Sequence, residues 1–349
     1  MHVSKSLNQC DRKMKAYDNT ISDVVSAMYL EDVINSHGTI DDTISQRKNK
    51  SIGIVNQVFG ILESVSLGFC YMEIALILRE AMLVNGILTN AEVWYKLTEK
   101  NLTTLESADL CLFRKIFGAN QKKATELFYL ETGKMPLRYV ISKRRLMFLW
   151  TILSRNKDDL VRKVYEVQKV KKRKNDWYAL IEQEKQKYDV SVTDDEIGMM
   201  SKYKFKMLVQ KRVESVAFQD LKERASQHSK SAGILSCIGS RNMKKQDYLC
   251  GNNFTKEDIK LLFQLRSRMV EVKSNFRSFH GGDLSCRTCD TGLVEDEDHL
   301  LKCKNLQIDD QPQNVKYSDV FGSIEHQRRA VRLFKAILRK REILFKRFI

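Results

Sequence analysis

Three cysteines and a histidine near the C-terminus carry the clearest chemistry in the chain: Cys286, Cys289, His299 and Cys303, spaced C-x2-C-x9-H-x3-C. Zinc favours four tetrahedral N/S ligands. Two cysteines two residues apart can turn around one side of an ion, and a histidine and a cysteine four apart lie on one helical face and close the other. Protein then fills all four positions, which leaves no place for an activated water and predicts a structural zinc with no catalytic role. Reduced thiols gathered by coincidence are the plain alternative, and His280 is a substitute ligand at poorer spacing. Residues 283–310 hold eight acidic side chains against Arg287, Lys302 and Lys304, net −5, so this loop should repel phosphate. The metal is expected to hold the C-terminal fold, where roughly 10–16 kcal/mol of binding free energy can exceed what a short segment's core supplies.

A second chemistry is cationic. The 349 residues carry 60 Lys+Arg against 44 Asp+Glu, net +16, a surplus that suits an anionic partner, nucleic acid first and a membrane surface second. Residues 138–177 hold 13 basic and 4 acidic side chains, and residues 320–349 hold 9 and 2, so these two segments together equal the whole excess. Lys143-Arg144-Arg145, Lys171-Lys172-Arg173-Lys174 and Arg328-Arg329 are the candidate phosphate contacts, against the reading of each as a solvated helix face. Phe148, Trp150, Trp177 and Tyr178 could stack on bases, although such spacing is more usual for core residues.

A third chemistry is missing. Nucleotidyl transfer needs carboxylates held by a rigid turn around metal ions. The four Asp-Asp pairs, at 41–42, 158–159, 194–195 and 309–310, read as helix-terminal charges or as part of a polar loop. No glycine-rich phosphate loop, nucleophile elbow or zinc-protease helix occurs, so no catalytic residue is assigned and a complete enzyme is not expected.

These groups need elements to position them, and the pattern is mostly helical. Met28–Ile34 followed by Asn35-Ser36-His37-Gly38-Thr39 suits a hairpin or a strand-to-helix corner. Leu102, Leu105, Leu112 and Ile116 recur at helical spacing, with Gly118 and Gly133 placed as C-terminal stops. Pro136 falls where a first-turn proline belongs, before a helix whose apolar face is Leu137, Val140, Ile141, Phe148 and Ile152, set against Lys143, Arg144 and Arg145. Thr193 and Glu196 form a capping-box pattern. Gly233–Asn253 reads as a linker, Thr255 to about Arg277 as a helix, Gln307–Asn314 as a loop, and Ser323–Ile349 as a final basic amphipathic helix that could equally lie on a bilayer. The expected segments are 1–50, a strand and turn; 51–155, a helical domain; 156–250, a helical connector; and 251–349, a zinc knuckle with a basic helix. The length excludes one small domain, and 43% apolar residues with only 2 Pro exclude disorder of the whole chain. Eight scattered cysteines point to a reducing, intracellular compartment, nuclear or cytoplasmic. Residues 1–10 hold no apolar signal core, and Glu63, Glu73, Arg79 and Glu80 interrupt the most hydrophobic stretch before it could span a membrane.

Met28-Tyr29-Leu30-Glu31-Asp32-Val33-Ile34 and the turn after it resemble the strand and turn that follow the catalytic palm motif in reverse transcriptases of non-LTR retrotransposons. Leu102–Gly118 resembles the thumb-side helix of those polymerases, and Leu130 through Leu146 continues the likeness. The Cys286, Cys289, His299, Cys303 set is similar to their C-terminal CCHC knuckle. The resemblance implies a mainly α fold: a helical, thumb-like bundle with a short N-terminal β remnant and a small zinc-knuckle unit. It implies a part that grips template-primer or element RNA, with fingers and palm, including the aromatic-x-Asp-Asp turn, falling upstream of Met1. Here Glu31 takes the position of a family glycine. The expected function is binding of RNA or DNA without polymerase carboxylates. The alternatives are a zinc-stabilised module that meets protein or membrane, and a decayed retroelement product.

Overall fold

The computed structural model describes residues 15–16, 19–20, 25–35, 37–64, 70–95, 97–119, 124–174, 176–239, 243–251, 253–279, 282–289, 291–308 and 315–346. The chain is mainly helical. Two short antiparallel ladders, β1 (Lys15–Ala16) with β2 (Asn19–Thr20) and β3 (Ser26–Tyr29) with β4 (Asp32–Asn35), precede α1 (Asp41–Ser64) and α2 (Tyr71–Leu78). A π-helical stretch, Arg79–Val84, leads into α3 (Asn85–Ile87), followed by α4 (Glu99–Phe117), α5 (Glu126–Thr132) and α6 (Leu137–Leu153). Next come α7 (Leu160–Lys171), α8 (Trp177–Lys187), α9 (Asp194–Met199), α10 (Lys202–Ser226) and α11 (Ala232–Cys237), and last α12 (Lys256–Arg266), α13 (Glu297–Lys302) and α14 (Ile324–Lys346). No described helix is long and apolar enough to cross a membrane.

Two compact units are interleaved along the chain, whereas the sequence reading divides it into four consecutive segments. Unit 1 takes residues from 1–57, 79–109 and 136–216, and unit 2 takes 58–78, 110–135 and 217–349. In unit 1 the β3–β4 turn is Leu30-Glu31, both at positive φ (47° and 68°), the two-residue turn whose twist suits an antiparallel pair. Glu31 therefore occupies the left-handed conformation that a glycine would adopt freely. Its carboxylate is anchored at 2.8 Å by the buried Arg47, which also holds Asp32 at 2.9 Å. Asn35 makes the expected strand-to-helix corner: its Oδ1 accepts from the Thr39 N–H and its Nδ2 donates to Asp42 in the first turn of α1. Val84, Leu105, Ile141, Leu149, Ile181 and Phe205 are buried core, beside a buried Arg79–Asp109 pair at 2.5 Å.

In unit 2, Gly118 and Gly133 end α4 and α5 in the left-handed region (φ 60° and 65°), as the sequence suggests. A Cβ on Gly133 would lie 2.5 Å from the Lys245 nitrogen, so close approach as well as φ requires glycine there. Phe113, Phe117, Phe128 and Phe263 stack, and Arg266 is fully buried with Glu131 at 3.0 Å. The expected linker at 233–253 is instead partly packed: it holds α11, and Tyr248 and Leu249 are buried, the former with its ring against Arg266. The helix expected to reach Arg277 stops at Arg266, because Arg268 takes φ 54° and turns the chain. Pro136 stands at the N-cap of α6, one position before the first turn. The apolar side of α14, with Ala330, Val331, Phe334 and Ile337, is turned into unit 2, which accounts for it without a bilayer. His280, residues 309–314 of the expected loop with Asp309-Asp310, and residues 347–349 of the last helix lie outside the described residues.

Candidate metal centre

The cysteine and histidine side chains predicted to gather do gather, in unit 2. Ser285 bridges Val294 in antiparallel fashion, and the Cys286 N–H donates to the Leu293 carbonyl at 2.8 Å, so the C-x2-C turn is folded back on its own flank. Asp296 caps α13 by accepting from the His299 N–H at 2.7 Å, which fixes the helix that presents His299 on its inner face and Cys303 just past its end. The four ligand atoms lie within 4.8 Å of one another. Cys286 Sγ is 3.9 Å from Cys303 Sγ, and Cys289 Sγ is 3.4 Å from His299 Nε2. A tetrahedral zinc with bonds near 2.3 Å to sulfur and 2.0–2.1 Å to nitrogen sets its ligand atoms roughly 3.5–3.8 Å apart, so the donor set fits such an ion. All four residues are buried. The Thr291 hydroxyl beside Sγ brings the Cys289 thiol down to about 6, toward the thiolate a metal requires.

The acidic loop does not face outward as a block. Glu295 is fully buried and accepts from the Arg287 backbone and guanidinium and from Arg341 of α14 at 2.5 Å. Burial pushes its carboxyl up, but Arg287 and Arg341 outweigh that and bring it down to about 2. Glu297, also fully buried, accepts from Arg268 and Asn275. Both are thus neutralised internally: Glu295 ties the cysteine turn to α14, and Glu297 ties α13 to the chain that follows α12. No spacing rule announces Arg341 as part of this assembly; the signal available in sequence was only its place on a basic helix.

No family model, curated protein or solved structure matches this chain.

The candidate phosphate contacts divide three ways. Lys143, Arg144 and Arg145 do not form the solvent-facing stripe that helical spacing suggests. Arg145 is buried, pairs with Glu184 at 3.0 Å and donates to the Trp94 carbonyl; Arg144 donates to the Leu88 carbonyl and Asn85; Lys143 donates to Gln210. The reason is local: α6 is packed by α7, α8 and α9, so Tyr139, Leu146 and Leu153 are buried too and little of its circumference meets water. Lys171, Lys172, Arg173 and Lys174, by contrast, are all exposed where α7 ends with Lys172 in a left-handed turn. Lys174 and Arg145, with Arg138 and Lys187, line one cleft of about 380 Å³ in unit 1. Arg328 and Arg329 are exposed on α14 in unit 2, Arg328 donating to Asn253. The aromatic candidates belong to the packing: Trp177 meets Phe148 edge-on and donates to the Glu92 carbonyl, and Trp150 donates to the Met200 carbonyl. The start of α10 adds exposed Lys202, Lys204, Lys206 and Lys211, a run hidden in sequence by its alternation with Tyr203, Phe205 and Met207.

Proposed function

We propose that this chain binds nucleic acid through the basic surface of unit 1, and that the Cys286, Cys289, His299, Cys303 set holds a structural zinc that maintains unit 2. The observation that carries the first claim is the exposed run Lys171–Lys174, whose last member, Lys174, lines a cleft with Arg138, Arg145 and Lys187 beside Glu99 and Glu184. Cations at adjacent positions of a chain that leaves its helix can follow a phosphate backbone, and the release of counterions from that backbone supplies the affinity. Arg138 and Arg145 are committed to Glu106 and Glu184, so Lys171–Lys174 and Lys187 are the side chains left to meet phosphate. The resemblance to the thumb and C-terminal region of non-LTR reverse transcriptases agrees with a grip on template-primer or element RNA, and we extend it to this chain as part of the same proposal. Zinc is favoured over other ions by the three thiols and one imidazole in tetrahedral reach.

The experiment is binding of fluorescent RNA and DNA oligomers to the full chain and to Lys172→Glu/Arg173→Glu. Both side chains are exposed, so the fold should be retained while affinity falls at least about tenfold at low salt. Equal affinity in the variant, or no binding by the native chain at low salt, would remove the proposal.

A further inference from the structure

The start of α10 turns one aromatic ring and four ammonium groups to solvent together. Ser201 caps the helix by accepting from the Lys204 N–H at 3.3 Å, and Phe205, Val209 and Val213 are its buried side. On the opposite side Tyr203, Met207 and Lys211 follow at intervals of four, over about 12 Å of helix axis, with Lys204 and Lys206 on the two flanks. Tyr203 is 72% exposed and Met207 50%. Among the described residues the Tyr203 ring meets no other ring or cation, and its hydroxyl has no hydrogen-bond partner. The charges beside it are uncompensated. No acidic residue stands in the first turn of α10. The carboxylates at hand are already used: Glu214, further along the helix, accepts from Gln210, and Asp189 holds Arg212 at 2.9 Å. Among the described residues Lys202, Lys204, Lys206 and Lys211 therefore have no carboxylate partner, although Lys202 lies 5.8 Å from the centre of the Trp150 ring. Burial holds the Lys143 amine of α6 below its usual range, and repulsion from Lys206 pushes it the same way.

Cations without partners call for an anion, and the ring in their midst says which kind. A phosphate backbone answers the lysines, and a base stacked on Tyr203 answers the ring, whatever its sequence, since every base has a π face. In a duplex those faces are covered by neighbouring base pairs, whereas the unstacked bases of a single strand are open to an aromatic side chain. A bilayer would need more apolar length: the outward stripe passes from Tyr203 and Met207 straight to Lys211, and one ring with one thioether is too little to seat a helix in a membrane surface. We propose that the first three turns of α10 are a single-strand contact of unit 1, in which Tyr203 stacks on an unpaired base while Lys204, Lys206 and Lys211 meet the phosphates around it. This contact rests on the nucleic-acid binding proposed above for unit 1 and narrows its ligand at this place to single-stranded RNA or DNA.

Fluorescence anisotropy of the full, zinc-replete chain tests this with three labelled probes of about 12 nucleotides: a single-stranded RNA, its duplex, and an abasic strand that keeps the phosphates. Tyr203 is exposed and unpartnered, so its variants keep the fold. Tyr203→Ala should lose at least about fivefold in affinity for the single strand, yet stay within about twofold of the native chain on the duplex and on the abasic strand. Tyr203→Phe, which keeps the ring, should match the native chain on all three. Lys204→Gln/Lys211→Gln should make the slope of log affinity against log salt about 1.4 shallower on the single strand. A Tyr203→Ala variant that binds the single strand like the native chain, an equal loss on the abasic strand or the duplex, or a Tyr203→Phe variant as weak as Tyr203→Ala would overturn the contact. So would vesicles of phosphatidylserine and phosphatidylcholine that bind through Tyr203 while RNA affinity does not depend on it. Loss of RNA affinity in Lys172→Glu/Arg173→Glu with none in Tyr203→Ala would overturn this contact and leave the role of Lys171–Lys174 standing, whereas no binding of any strand at low salt would overturn both.

Discussion

Replacing Glu295 by Gln keeps the shape of the side chain and removes the charge that joins the cysteine turn to α14. In the native chain this carboxylate, fully buried, accepts from the Arg287 backbone and guanidinium and from Arg341. Burial alone would raise its pKa; the two guanidiniums overcome burial and bring it to about 2, below an ordinary value of 4.5. A depression of that size corresponds to about 3.5 kcal/mol at roughly 1.4 kcal/mol per pKa unit, and leaving the buried Arg341 and the half-buried Arg287 short of a counter-charge adds to the cost. Because the folded pKa is depressed, the stabilisation is fully present above the unfolded value near 4.5 and is lost as pH falls from there toward 2. The gap between native chain and Glu295→Gln should therefore be constant near neutral pH and close through that window. Trp94, Trp150 and Trp177 all belong to unit 1, so tryptophan fluorescence is the wrong probe. Hydrogen exchange of the α13 and α14 amides is the right one, and Glu295→Gln should speed it about 300-fold at pH 7. Unchanged α14 protection in the variant, or a gap that does not depend on pH below 5, would refute the reasoning.

Metal analysis should find one zinc per chain, with His299→Ala or Cys303→Ser losing it and chelation exposing α13 and α14 to protease; full metal content in Cys303→Ser would count against the four-residue set. Gly133→Ala should destabilise unit 2 by at least about 2 kcal/mol in a denaturant titration, since a Cβ meets the Lys245 backbone and φ is positive. Glu131→Gln should cost about 3–5 kcal/mol by stranding the buried Arg266, whereas Glu131→Leu/Arg266→Met should cost less than the single change. Arg145→Leu should unfold unit 1 more readily than Lys172→Ala does, because only the former side chain is buried with a carboxylate partner.

The cysteine and histidine cluster was legible because its information is local: C-x2-C makes its own turn, and one short helix carries His299 with Cys303 just past its end. Helix ends were legible for the same reason, Gly118, Gly133 and the Thr193–Glu196 box each acting through neighbours within a turn. The basic residues of α6 were not. Whether Arg145 meets water depends on Glu184 and Trp94, far away in sequence, and no periodicity encodes that α7, α8 and α9 all pack on one helix. Helix α7 shows the same limit from the other side: Tyr165 is turned inward to bond Asp194 while Val164 and Val167 meet solvent, which apolar periodicity does not encode. The interleaved units were likewise invisible to composition, which changes along the chain and carries no record of which distant segments pack together.

The central claim, that Lys171–Lys174 meet a phosphate backbone, is tested most directly by a salt titration of binding to a single-stranded RNA oligomer. Four phosphate contacts predict a straight line of log affinity against log salt with a slope of about −2.8, and a slope about 1.4 shallower in Lys172→Glu/Arg173→Glu. A flat line for the native chain, or parallel lines for the two proteins, would contradict it.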